Sequence, residues 1–246
     1  MEPLLKKEDI VKALQKEVLS MQRGGAAALN EQSATGLGAI EEAFPGKEFP
    51  RAAVHEFVSY DAGSAAATNG FMMGVAGKLM WEAGVCVWVG AKRTVYPVAM
   101  AQFGITPDRV IFIDPPRKKD VLWTIEEALK CDALQLVVGE VGELGFMESR
   151  RLQLAVERSS VTGFIHRKNP RMENTVACVS KWKITPITSM ADDGMPGLGF
   201  PRWHVQLLKV RNGKPGSWMV EWRNGTLYYL PKTVIALPEI HTRKTG

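Results

Sequence analysis

The residues best placed to do chemistry in this chain sit where phosphate would be held. A strand-like run over 53–59 passes into the small-residue stretch Ser59-Tyr-Asp-Ala-Gly-Ser-Ala-Ala66. A helical pattern follows, with Ala67, Phe71, Val75 and Leu79 on one stripe. A glycine-rich turn between strand and helix lets backbone N–H groups curl round a phosphate, provided that a Lys reaches the outer oxygens and a Ser or Thr hydroxyl holds Mg²⁺. Here Gly63 and Ser64 lie in the turn, but Ala65 stands where the Lys is required and Ala66 where the hydroxyl is required. Ser59 takes the place of the first glycine, and Asp61 adds a negative charge where the phosphates would lie. Sliding the register by one puts Ser64 at the Lys position and still supplies no Lys. A charge-assisted hydrogen bond is worth about 1.5–3 kcal/mol, so the missing Lys alone lowers affinity roughly ten- to a hundredfold.

Other reactive groups form no constellation. His55, His166, His204 and His241 lack metal-ligand spacing. Cys86, Cys131 and Cys178 are odd in number and contain no CxxC pair; Cys86 and Cys178 lie in apolar runs, as reduced cysteines acting as small hydrophobes do. A reducing compartment is expected. Gly63-Ser64 belongs to no GxSxG elbow and reads as a helix cap, and Gly36-Leu-Gly38 completes no dinucleotide fingerprint. Trp182, Trp203, Trp218 and Trp222 fall on strands and read as core or interface anchors rather than stacking platforms. The net charge of +5 permits contact with a polyanion without requiring it. No stretch of about 18 apolar residues exists and the N-terminus is charged. A cytoplasmic protein, neither secreted nor membrane-spanning, is expected.

The elements that must position these residues alternate. Strands are expected over 53–59, 85–89, 109–113, 134–138 and 163–166, separated by helices beginning near 67 and over 97–103, 118–130 and 146–160. Strands apolar on both faces, spaced by helices, give a parallel sheet covered on both sides. The last third changes character. The run 175–184 alternates, with Val176, Cys178, Trp182 and Ile184 assigned to one face, and strands follow over 203–210, 217–222 and 226–230. Two Asn-Gly turns, at 212–213 and 224–225, mark hairpins. Before the core, 4–22 reads as an amphipathic helix with Leu4, Val11, Leu14 and Val18 on its apolar stripe, and a small-residue linker follows. The expected division is a helix and linker at 1–30, a core at 31–230 and a basic tail at 231–246.

This order of elements resembles the RecA-like ATPase core. Ala43-Phe-Pro-Gly-Lys-Glu-Phe-Pro-Arg51, followed by Val54-His-Glu-Phe-Val58, resembles the turn and strand that lead into the RecA phosphate loop. Trp203-His-Val-Gln-Leu-Leu-Lys-Val-Arg-Asn-Gly-Lys-Pro-Gly-Ser-Trp-Met-Val-Glu-Trp222 and Glu148-Ser-Arg-Arg-Leu-Gln-Leu-Ala155 are similar to ImuA, the RecA-like member of bacterial damage-inducible mutagenesis cassettes.

The resemblance implies a RecA-like α/β fold with a mostly parallel sheet, an antiparallel C-terminal β extension and an N-terminal helix. Against that family, the metal-site acid after the fourth strand falls at Gly139, with Glu140 one step late, and the water-activating Glu is replaced by the basic run Gly90-Ala-Lys-Arg93. The expectation is a non-enzymatic pseudo-ATPase without cofactor or metal. Its implied partners are a Y-family polymerase-like protein and an error-prone replicative-type polymerase, in SOS-inducible translesion synthesis. A SulA-like inhibitor of the division tubulin homologue is the alternative. The loops that hold single-stranded DNA are short, leaving Arg167, Lys168 and Arg171 as candidate phosphate contacts and weak or indirect DNA binding. Leu4, Val11, Leu14 and Val18 are candidates for a partner interface or for self-association.

Overall fold

The computed structural model describes residues 35–80, 84–172, 174–189 and 199–231. The N-terminal helix with Leu4, Val11, Leu14 and Val18, and the tail beyond 231, lie outside the described residues. The core is built on one nine-stranded sheet of order β3-β2-β4-β5-β1-β6-β7-β8-β9. The strands are β1 (Val54–Ser59), β2 (Cys86–Val89), β3 (Val110–Ile113), β4 (Leu136–Val141), β5 (Thr162–Lys168), β6 (Ser180–Ile187), β7 (Arg202–Val210), β8 (Gly216–Arg223) and β9 (Thr226–Tyr229). β1 to β6 pair in parallel, and β6 to β9 form an antiparallel extension. The helices are α1 (Ala62–Leu79), α2 (Lys118–Leu129) and α3 (Phe146–Ser159), and the expected helix at Pro97–Phe103 is a 3-10 helix.

The sheet buries both faces because its central strands are apolar on both. On one face α1 covers Phe57, Trp88, Val138, Phe164 and Trp182; on the other, α2 and α3 cover Val54, Val87, Val137 and Ile165. Trp182, fully buried, is the hub of the first face, with ring centroids 5.8–6.4 Å from those of Phe44, Phe49, Phe57 and Phe71. The tryptophans expected as core anchors behave so: Trp203 and Trp222 are buried and Trp218 packs against the same cluster. Asn224 and Gly225 both take positive φ, as the two-residue hairpin between β8 and β9 requires.

One expectation is corrected at β6. The strand begins at Ser180 rather than 175. Val176 and Cys178 precede it and pack with α2 and α3, whereas Trp182 and Ile184 face α1. Alternation continued across the boundary by coincidence, because the chain crosses the sheet before it enters the strand.

Glycines set the approach of α1. A Cβ on Gly70 would lie 2.8 Å from the Trp203 ring, one on Gly74 3.0 Å from Trp222, and one on Gly77 1.9 Å from the Phe103 carbonyl oxygen. The last neighbour is backbone and cannot swing aside. Gly77→Ala is therefore expected to lower the unfolding free energy by about 1–3 kcal/mol through overpacking, although helix propensity alone would raise it by about 1 kcal/mol. Urea denaturation decides between the signs.

Candidate functional site: the turn after β1

β1 lies between β5 and β6, and its C-terminal end, Ser59, opens at the sheet edge where α/β proteins hold ligands. The turn that follows is shorter than the sequence implied. α1 starts at Ala62, so only Tyr60 and Asp61 separate strand from helix, and Gly63 to Ala66 are helical. The cause is local. The Asp61 carboxylate caps the helix, accepting from Ser64 N at 2.8 Å and Ser64 Oγ at 2.6 Å, and Ala65 N donates to Asp61 O at 2.9 Å. These Ser64 hydrogen bonds hold the Asp61 carboxyl below the usual carboxylate range. Two amides that would meet a phosphate are thus already spent, and a negative charge sits over the helix N-terminus. A small concavity of about 240 Å³ remains, lined by Ser59, Tyr60, Asp61, Ala62, Ala65, Lys168 and Asn169.

Glu140 is placed differently from the expectation. It lies within β4, since the strand runs on to Val141, and its side chain is 6% exposed. Lys168 Nζ, from the end of β5, donates to Glu140 Oε2 at 2.6 Å and to Thr94 Oγ1 at 2.8 Å. Thr94 Oγ1 and Trp88 Nε1 donate to Glu140 Oε1 at 2.7 and 3.1 Å. An ammonium ion therefore neutralises this carboxylate from the side facing the concavity. Among the described residues no group of three or more His, Cys, Asp or Glu is arranged to hold a metal. The basic stretch after β2 turns away: Arg93 pairs with Asp114 at 2.8 Å and lies over the Phe112 ring.

Beneath the turn runs a buried relay that the sequence did not reveal. His166 Nδ1 lies 2.9 Å from Asn69 Oδ1 and can only donate to it, so Nε2 accepts the Ser59 hydroxyl proton at 2.8 Å. The order is that of a serine nucleophile and its base. Burial, followed by the Lys168 charge, pushes the His166 pKa down to about 3, far below the range useful to a general base, and Ser59 is buried. The relay satisfies polar groups under α1. Period-two alternation from Phe164 would have placed His166 and Lys168 on the same side as Phe57.

The three residues expected at DNA diverge. Arg167 is fully buried: it pairs with Glu56 at 2.7 Å and donates to the Met172 carbonyl at 3.2 Å, so its side chain is turned away from any phosphate. Lys168 is engaged by Glu140. Arg171 is exposed, and its backbone N–H donates to Glu143 Oε1 at 2.7 Å. Glu143 also accepts from Arg167 at 3.5 Å, so the loops after β4 and β5 are tied to one another.

No protein-family model matches the chain. The curated protein ImuA of Caulobacter vibrioides, from two strains, is 28% identical over 194 residues, covering 74% of this chain and 80% of the relative. Among solved structures, a KaiC-like protein from the archaeon Pyrococcus horikoshii OT3 superposes with a TM-score of 0.53 at 11% identity, covering 80% of this chain and 98% of that one. That likeness bears on the fold alone, and it agrees with the α/β architecture expected from the sequence.

Proposed function

We propose, from its likeness to ImuA over 74% of the chain, that this protein is a member of the ImuA family and works in a damage-inducible mutagenesis cassette as a non-catalytic adaptor, a pseudo-ATPase that holds a Y-family polymerase-like partner and helps bring an error-prone polymerase to damaged DNA. The observation that carries the non-catalytic part is the filling of the nucleotide position from within. Asp61 occupies the helix N-terminus where phosphate would bind, and Lys168 occupies the space beside Glu140 where a metal would bind. A nucleotide would have to displace an ion pair and a cap while finding neither a Lys at 65 nor a hydroxyl at 66.

Isothermal titration with Mg·ATP is expected to give no binding tighter than millimolar; micromolar affinity would overturn the pseudo-ATPase reading. For the adaptor reading, affinity purification of the full chain from DNA-damaged cells is expected to bring down the polymerase-like partner, and recovery of the division tubulin instead would refute it. The segment with Leu4, Val11, Leu14 and Val18 is one part of the chain we assign to partner capture or self-association. DNA contact by the isolated protein, through Arg171 and the general positive charge, is proposed to be weak and salt-sensitive.

A further inference from the structure

On the sheet face covered by α2 and α3, a groove of about 360 Å³ lies between the first turn of α3 and the segment that descends from β5 to β6. Its floor is apolar: Val176 and Cys178 anchor that segment in the core. Its wall is cationic, formed by Arg150, Lys209 and Arg211. Lys209 Nζ reaches only the Val176 carbonyl at 3.5 Å, and Arg211 Nη2 the Ala177 carbonyl at 3.2 Å. Among the described residues none of the three pairs with a carboxylate, and no acidic residue lines the groove. Lys181 stands opposite Lys209 in the β6–β7 register and adds to the charge.

Phe146 lines the groove, and exposed methionines stand near the lining residues in sequence. Phe146 is 53% exposed and Met147 72% exposed. Met172, 71% exposed, sits on the loop that Arg171 N–Glu143 and Asn174 Nδ2–Leu144 O bonds, both 2.7 Å, tie to the turn before Phe146. Exposed thioethers and aromatic rings make adaptable protein-binding surfaces. The volume is at the lower end of ligand sites and suits one bulky side chain.

We propose that this groove captures a short acidic segment of a partner protein, seating one large apolar side chain on Val176 and Cys178 with its neighbouring carboxylates on Arg150, Lys209 and Arg211. The proposal deepens the adaptor reading and rests on it. A single-stranded nucleic acid fits less well, because it calls for successive aromatic platforms along a basic track, and Phe146 is the one aromatic residue in the lining. Two of the chain's own segments are poor occupants. The stretch 232–246 carries Lys232, Arg243 and Lys244 against Glu239 alone. Asp192 and Asp193 fall in sequence between Ile187 and Arg202, which pair at the end of the β6–β7 ladder opposite Ser180 and Val210.

The test selects random displayed peptides against the full chain, and in parallel against Arg150→Glu/Arg211→Glu. Peptides enriched on the wild type are expected to place Asp or Glu around Phe, Trp or Leu. The best of them, made synthetically, should bind with micromolar affinity that falls about tenfold or more in Arg150→Glu/Arg211→Glu and in Phe146→Ala, and that weakens with salt. Arg150→Met serves as the charge-removing variant if the double reversal lowers the melting temperature. Winners without acidic residues, or binding indifferent to these substitutions, would overturn the proposal. So would oligo-dT that binds more tightly than the peptide and is lost in the same variants. If the polymerase-like partner co-purifies equally with wild type and Arg150→Glu/Arg211→Glu, the groove proposal falls and the adaptor reading stands. If wild type captures no such partner, the adaptor reading falls, while the peptide selection still reports on the groove.

Discussion

Lowering the pH from 7 to 4.5 is expected to remove about 5 kcal/mol from the unfolding free energy, with uptake of nearly two protons in the unfolded state. The groups are His55 and His166. His55 accepts from Ser180 Oγ at 2.7 Å and donates to the Pro50 carbonyl at 2.8 Å, and burial pushes its pKa down to about 4. His166, in the relay with Ser59 and Asn69, is pushed down to about 3 by burial and then by Lys168. Both start from 6.5 in the unfolded chain. A base whose pKa is lowered by folding contributes fully above 6.5. Its contribution is lost as pH falls from 6.5 toward the folded value, because only the unfolded chain takes the proton. At pH 4.5 each has lost about two units at about 1.36 kcal/mol per unit. Urea titrations at stepped pH measure this directly. His55→Gln should halve the slope between pH 6 and 5, and a flat profile down to pH 5 would show that the histidines are not held neutral.

Arg167→Met is expected to cost about 3–5 kcal/mol. Arg167 and Glu56 are both fully buried, and the Glu56 carboxylate keeps one oxygen without a partner even in the intact pair. Removing the guanidinium leaves a bare charge in the core and frees the Met172 carbonyl. In a domain of this size the melting temperature should fall by roughly 6–20 °C. The pairing argument makes a sharper demand on Glu56→Met/Arg167→Met, which should recover most of the loss, since two apolar residues replace two charges. If the double variant is as unstable as Arg167→Met alone, the cost lies in packing.

The parallel sheet and its antiparallel extension were legible because apolar runs and Asn-Gly turns are local signals. The site was less so. Whether Ala62 to Ala66 form a loop or a helical turn depends on where the Asp61 carboxylate points, which sequence pattern does not contain. Lys168 and Glu140 are separated by 28 positions and meet only because β4 and β5 are neighbours. Arg167 reads as a loop-end cation until β5 is seen to extend past His166, which turns the side chain inward beside Val58. The absence of a Lys at 65 and a hydroxyl at 66 was plain from the sequence; the internal ions that take up the space were not.

The two-residue turn after β1 also bears on what point substitutions can reach. Placing Lys at 65 and Thr at 66 would set the right side chains on a helical turn whose amides are already committed to Asp61. Point substitutions alone do not lengthen a turn, so nucleotide binding here would need inserted residues or an unwound first turn, together with release of Lys168 from Glu140. Each step taken singly gives no binding and loses a cap or an ion pair. The turn is in that sense a ratchet: single substitutions lead away from phosphate binding more easily than toward it.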